Sequence, residues 1–145
     1  MTQNSPYAPP QSNVDPESLV TEEQIAALPV SDKWKQRFSA MHRAGGSKMP
    51  RLKELTPAER RKAFGFNFLA FFFGPIYYAI KGMWKKGLAL FVVCAAAVIV
   101  AGFGLDYLGY GTVADGLRYG IAAVFAVRAN IDYYKKMLLD DNGWW

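Results

Sequence analysis

Hydrophobic and polar positions divide this chain into a polar first half and an apolar second half. Residues 64–80 (FGFNFLAFFFGPIYYAI) and 88–105 (LALFVVCAAAVIVAGFGL) are two apolar blocks parted by the basic stretch KGMWKKG. The second block carries no charge, and as a helix it is long enough to cross a hydrocarbon core of about 30 Å. A third run, 117–134, is interrupted by Arg118 and Arg128 near its ends, where long side chains reach lipid headgroups. It is expected to be a second crossing helix. The first block contains Gly74-Pro75, which removes a backbone donor and breaks helical continuity. Half-helices over 64–73 and 76–83 are expected on either side of that break.

The polar half has its own punctuation. Residues 1–20 are polar and proline-rich and read as a disordered tail. Thr21-Glu22-Glu23-Gln24 is a capping box that opens a short helix ending before Pro29. Ser31 starts a helix over 32–44 that Gly45 and Gly46 stop. On it, Trp34, Phe38 and Met41 share one face, while Lys33, Lys35, Arg37 and Arg43 lie largely elsewhere. Such a helix suits an anionic membrane surface, with the aromatic stripe in the interface and the cations on the headgroups. The same stripe would equally suit packing on the protein's own apolar helices. Thr56-Pro57-Ala58-Glu59 opens a third helix, expected to run on into the Phe64 block.

Charge placement then sets a topology. The net charge of +5 is gathered at the ends of the apolar runs: Arg60, Arg61 and Lys62; Lys81, Lys85 and Lys86; Arg128, Lys135 and Lys136. Residues 106–116 hold no Lys or Arg but contain Asp106 and Asp115. Basic flanks mark the cytoplasmic side of membrane segments, so the pattern points to a membrane topology with a cytoplasmic N-terminus and not to nucleic acid. A simple first crossing would leave one basic cluster outside. A segment that dips in at Gly74-Pro75 and returns keeps all three inside, provided protein covers its broken backbone. No long apolar run occurs in the first 60 residues, so internal segments are expected to direct insertion. The fold expected is all-α: a cytoplasmic amphipathic helical region over 21–62, a membrane domain over 63–137 with a broken or re-entrant aromatic segment and two packed crossing helices, and a tail over 138–145.

Candidate chemistry is sparse. His42 lies beside the glycine stop of the basic helix, and Cys94 sits within an apolar run with no second cysteine to pair with. No His/Cys/carboxylate set has metal-site spacing, and no nucleophile with a base can be assembled, so neither catalysis nor a cofactor is expected. Polar residues in or near lipid are the remaining candidates. Asn67 could satisfy carbonyls freed at the break. Arg118 can meet Asp115 and Arg128 can meet Asp132 on one helix face, or Arg118, Arg128, Asn130 and Asp132 could line an interface with a partner or a narrow ion path. Gly116 with Gly120, and Ala97 with Ala101, repeat a small-xxx-small spacing that favours close helix packing, within the chain or by self-association.

The run Phe66-Asn67-Phe68-Leu69-Ala70-Phe71-Phe72-Phe73-Gly74-Pro75, followed by Lys81-Gly82-Met83-Trp84, resembles the signature of domain-of-unknown-function family 2628, small bacterial inner-membrane proteins. Ser31-Asp32-Lys33-Trp34-Lys35-Gln36-Arg37-Phe38 and Ala129-Asn130-Ile131-Asp132-Tyr133-Tyr134-Lys135-Lys136 resemble flanking segments of that family. Phe68 and Tyr77 depart from it where tryptophan is common, and Asp132 departs where an apolar residue is usual. The resemblance implies membrane residence and no particular activity. Three roles fit these features: binding another membrane protein as an accessory or regulatory subunit, neutralising a pore-forming toxin within the bilayer, or forming a small oligomeric channel. The channel lacks a continuous polar stripe over 88–105 and ranks last.

Overall fold

A computed structural model describes residues 14–145, and at positions 114 and 118 the backbone alone. Residues 1–13 of the tail expected over 1–20, and the Arg118 side chain with its expected Asp115 partner contact, lie outside the described residues. All regular structure among the described residues is helical: α1 (Glu22–Ala27), α2 (Asp32–Arg43), α3 (Pro57–Ala63), α4 (Phe68–Ile80), α5 (Trp84–Tyr107) and α6 (Gly111–Leu139).

The short helices begin where their caps place them. The Thr21 side chain accepts from Gln24 N–H while Gln24 accepts from the Thr21 backbone, and Thr56 and Glu59 repeat the arrangement with Pro57 at the first helical position. α2 follows Ser31, although the Ser31 side chain makes no capping hydrogen bond, and it ends at Gly45 and Gly46, whose positive φ values of 99° and 90° reverse the chain. Residues 15–20, expected to be disordered, are structured. Pro16–Leu19 form a 3₁₀ turn capped by Asp15, and Glu17 accepts from the Ser47 backbone at 3.1 Å and from the Ser47 hydroxyl. Arg43 ties α1 to α3, with Glu22 at 3.9 Å and Glu59 at 2.5 Å.

α3 does not run on into the aromatic block. It stops at Ala63, and residues 64–67 are non-helical before Asn67 caps α4 by accepting from Ala70 N–H at 3.1 Å. α4 is itself broken at Gly74 (φ 39°, ψ −114°), a conformation that a residue with a Cβ adopts only under strain. Pro75 then occupies the first turn of the second arm, where its missing N–H costs no helical bond. Asn67 and Tyr77 would stand about 15 Å apart along a continuous helix. Instead their side chains are hydrogen-bonded at 3.0 Å, so the second arm folds back on the first.

α5 and α6 form a long hairpin joined at residues 108–110. α4 packs only on its lower part. Asn67 N–H reaches Ala126 O at 3.2 Å, Gly74 faces the Phe125 ring, and Tyr78 meets Asp132. Gly87 of α5 lies against Tyr78, where a Cβ would stand 2.6 Å from that side chain, so this crossing requires glycine. The upper half of the hairpin is apolar and uncovered: Val100 is 73% exposed, Phe103 75% and Tyr107 91%. Two stretches, Pro57–Ile80 and Trp84–Tyr107, are long and apolar enough to cross a membrane, with mean hydropathies of 1.5 and 2.7. The first is divided at 64–67 and at Gly74, whereas the second is one unbroken helix.

Candidate functional site

The aromatic stripe of α2 turns inward. Phe38 and Met41 are fully buried, and the Phe38 ring lies 5.7 Å from both Tyr133 and Tyr134 of α6. Trp34 stacks edge-on to Tyr133 at 4.7 Å. Phe38 and Met41 are therefore core residues of the protein and not membrane contacts, because α6 supplies the apolar surface their face requires. Lys35 is likewise engaged, donating to Ala26 O at 2.7 Å at the end of α1. Lys33 and Arg37 remain at the surface, exposed and half-buried.

A polar seam joins α4 to α6. Asn67 donates to Tyr77 Oη and to Asn130 Oδ1, each at 3.0 Å, and Asn130 donates to Gly65 O at 2.6 Å. Asn67 thus satisfies the α4 start and its own partners, not the carbonyls at the Gly74-Pro75 break. Asp132 accepts from Tyr78 Oη at 2.8 Å and stands 3.6 Å from Arg128. Its Oδ1 has no hydrogen-bond partner. Asn67, Asn130 and Asp132 are all buried, so they lie inside the chain's own packing and not on an interface open to a partner. Arg128 is half-buried under the Trp145 ring, 4.6 Å from its centroid.

The C-terminal residues, expected as a tail over 138–145, dock on the start of α5. Lys86, 3% exposed, donates to Asp141 O at 2.9 Å and pairs with Asp141 Oδ2 at 3.1 Å. Trp144 packs edge-on to Trp84 at 5.7 Å. Burial alone would raise the Asp141 carboxyl; hydrogen bonds from Lys86 and the Gly143 N–H outweigh it and hold the group below its usual range.

One recess gathers charge. Lys33, Trp34 and Arg37 of α2, the Phe66–Asn67 turn, Tyr77, and Lys81 at the end of α4 enclose about 340 Å³. Two cations approach the Trp34 ring, with Arg37 5.2 Å and Lys81 5.1 Å from its centroid. Burial pushes the Arg37 guanidinium down, and burial followed by the neighbouring Lys136 pushes the Lys81 ammonium down. Lys136 donates to the Lys81 carbonyl. Reading along the chain missed this site, because it joins residues up to 48 positions apart (Lys33 to Lys81) and no local motif marks it.

The small-residue faces do not pack against any of the described residues. A Cβ at Gly116 or Gly120 would meet nothing within 4 Å, and Ala97 and Ala101 are exposed. The expected close packing of α5 on α6 through these residues is not what holds the hairpin. The contacts lie lower, around Leu90, Phe125 and Ala129.

Comparisons with known proteins agree on a family. Residues 21–138 match the family described as "Protein of unknown function (DUF2628)". The chain is 29% identical over 123 residues to "Uncharacterized protein YigF" of Salmonella typhimurium and equally so to that of Salmonella typhi. It is 28% identical to the Escherichia coli K12 protein of the same name. Each match covers 79% of this chain and 90% of the relative. No solved structure matches. The match spans the capped helices, the broken aromatic segment and the α5–α6 hairpin, and the chain belongs to the DUF2628 family.

Proposed function

We propose that this is a bacterial inner-membrane protein that acts without catalysis, by binding other membrane proteins in an accessory or regulatory role. One observation carries the reading: the upper half of the α5–α6 hairpin presents an apolar surface that none of the described residues covers, and only 6% of the most apolar window of α5 is buried. Water opposes such a surface, and lipid accepts it. The hairpin tip is flanked by Asp106 and Asp115, while most basic residues gather at the opposite end, and this distribution supports a cytoplasmic setting for that end and for α1–α3. α4 then dips into the cytoplasmic leaflet and returns, its broken backbone covered by α5 and α6. Within lipid, the open faces at Gly116, Gly120, Ala97 and Ala101 allow another helix to approach closely.

Photo-crosslinking from the hairpin in native membranes tests the function. One dominant membrane protein is expected to be captured; recovery of lipid alone overturns the reading. Topology is tested separately with Lys62→Cys and Lys85→Cys in a Cys94→Ala background. Both positions should label from the cytoplasmic side, and labelling from opposite sides would exclude a returning α4.

A further inference from the structure

The recess between α2 and the ends of α4 holds an unbalanced set of charges. Lys33 and Arg37 sit one helical turn apart on α2, and the α4 fold-back brings Lys81 to the same opening. Among the described residues no carboxylate lies within ion-pairing distance of any of the three, and Lys136 adds a fourth cation beside Lys81. The neighbouring recess between α1, α2 and α3 shows the contrast: there Arg43 is answered by Glu22 and Glu59. Gathering like charges and half-burying them is unfavourable; the rings of Trp34, Tyr77 and Tyr133 around Lys81 offset part of that cost, and an anion would offset the rest.

The walls say which anion. Trp34 and Tyr77 form one side, and Phe66, Phe68 and Leu69 form a lip. Phe68 is 67% exposed and Leu69 60%, and they continue into the exposed Phe72 and Phe73 of the first arm. A free inorganic anion has no use for that apolar lip, whereas a phosphate carrying acyl chains does. The volume lies at the small end of ligand sites, about 300–1,000 Å³, and suits a headgroup more than a whole lipid.

We infer that this recess binds the phosphate of an anionic phospholipid headgroup, with Arg37 and Lys81 as its main contacts, Lys33 at its mouth and the acyl chains leaving along Phe68 and Leu69. The inference rests on the membrane placement proposed above. It also gives the α4 fold-back a purpose: without it Lys81 would stand far from α2.

The full chain, purified in neutral detergent, is titrated with phosphatidylglycerol or phosphatidylcholine, and bound lipid is read by native mass spectrometry. One phosphatidylglycerol per chain is expected, with phosphatidylcholine about tenfold weaker or worse. Arg37→Gln with Lys81→Gln should bring phosphatidylglycerol down to the phosphatidylcholine level, while Lys48→Gln, at an exposed site away from the recess, should leave it unchanged. Equal binding of the two lipids, or a double variant that binds as the wild type does, overturns the inference. So does full displacement of phosphatidylglycerol by millimolar inorganic phosphate, which would make the free anion the ligand. Should the double variant unfold, Lys33→Gln decides: it must weaken phosphatidylglycerol about fivefold and leave phosphatidylcholine unchanged, and no change overturns the site. Failure of the membrane reading looks different: the chain would then stay monodisperse after detergent removal, whatever lipid it binds.

Discussion

Asn130 makes two buried hydrogen bonds, one to Asn67 and one to the Gly65 carbonyl, and so holds both the turn before α4 and the start of α4 against α6. Asn130→Ala leaves the Asn67 amide short of an acceptor and the Gly65 carbonyl short of a donor. A loss of about 1–3 kcal/mol is expected for a buried group left unsatisfied, read as a lower midpoint of unfolding in detergent. Asp141 acts on another seam. Its carboxyl titrates below the usual range in the folded protein, so its contribution is fully present above the ordinary carboxylate range and is lost as pH falls through the depressed value. Asp141→Asn should therefore be less stable than the wild type at neutral pH, with the two melting curves converging on acidification. A constant gap down to acidic pH would show that Asp141 works through packing alone. Neither residue's partner was legible in the sequence. Asn130 stands 63 positions from Asn67, and Lys86 stands 55 from Asp141. Capping residues were legible because their partners lie three residues away, as with Thr21 and Gln24 or Thr56 and Glu59.

Among the elements, α4 departs most from a simple helix, and Gly74 is where it does so. A Cβ there would meet only the Phe125 ring, at 3.9 Å, so space does not demand glycine; the backbone conformation does. Gly74→Ala is expected to cost about 1–3 kcal/mol of backbone strain and to loosen the Asn67–Tyr77 contact. Gly87 shows the opposite cause: its φ is ordinary, but Tyr78 fills the space a side chain would need. Gly87→Ala forces Tyr78 away and should cost about 1–3 kcal/mol through overpacking, again read in detergent unfolding. The Gly74-Pro75 pair announced the break from the sequence alone. The second interruption at 64–67 did not announce itself, because FGFN reads as a continuous apolar run. What stops the helix is tertiary: Asn67 N–H leaves the helical ladder for Ala126 O. The aromatic stripe of α2 was visible as periodicity, but periodicity cannot say what a face packs on, and here it is Tyr133 and Tyr134.

At the scale of the molecule, two regions of different character share one chain. The lower region has a conventional core of Phe38, Met41, Tyr78, Phe125 and Tyr134, all buried. The upper hairpin has almost none. Removing detergent from the purified protein should therefore drive association through the hairpin. The expected outcome on size exclusion is loss of the monomer peak, and a stable monomer in plain buffer would remove the basis for a membrane setting. The division was legible because 88–105 is uncharged. The docking of the C-terminal residues on Lys86 and Trp84 was not, since those partners lie more than 50 positions earlier in the chain.

The seam at Asn67 also constrains the order of assembly. The aromatic segment leaves the ribosome before α6, yet the acceptors that settle its polar groups, Ala126 O and Asn130 Oδ1, belong to α6. On the membrane placement proposed above, the broken segment lacks these α6 partners until they emerge and would wait at the headgroup level. The first apolar stretch to be synthesised would then be the last to reach its final depth, and nascent chains arrested before residue 126 should leave it open to aqueous alkylation even after α5 has entered the bilayer.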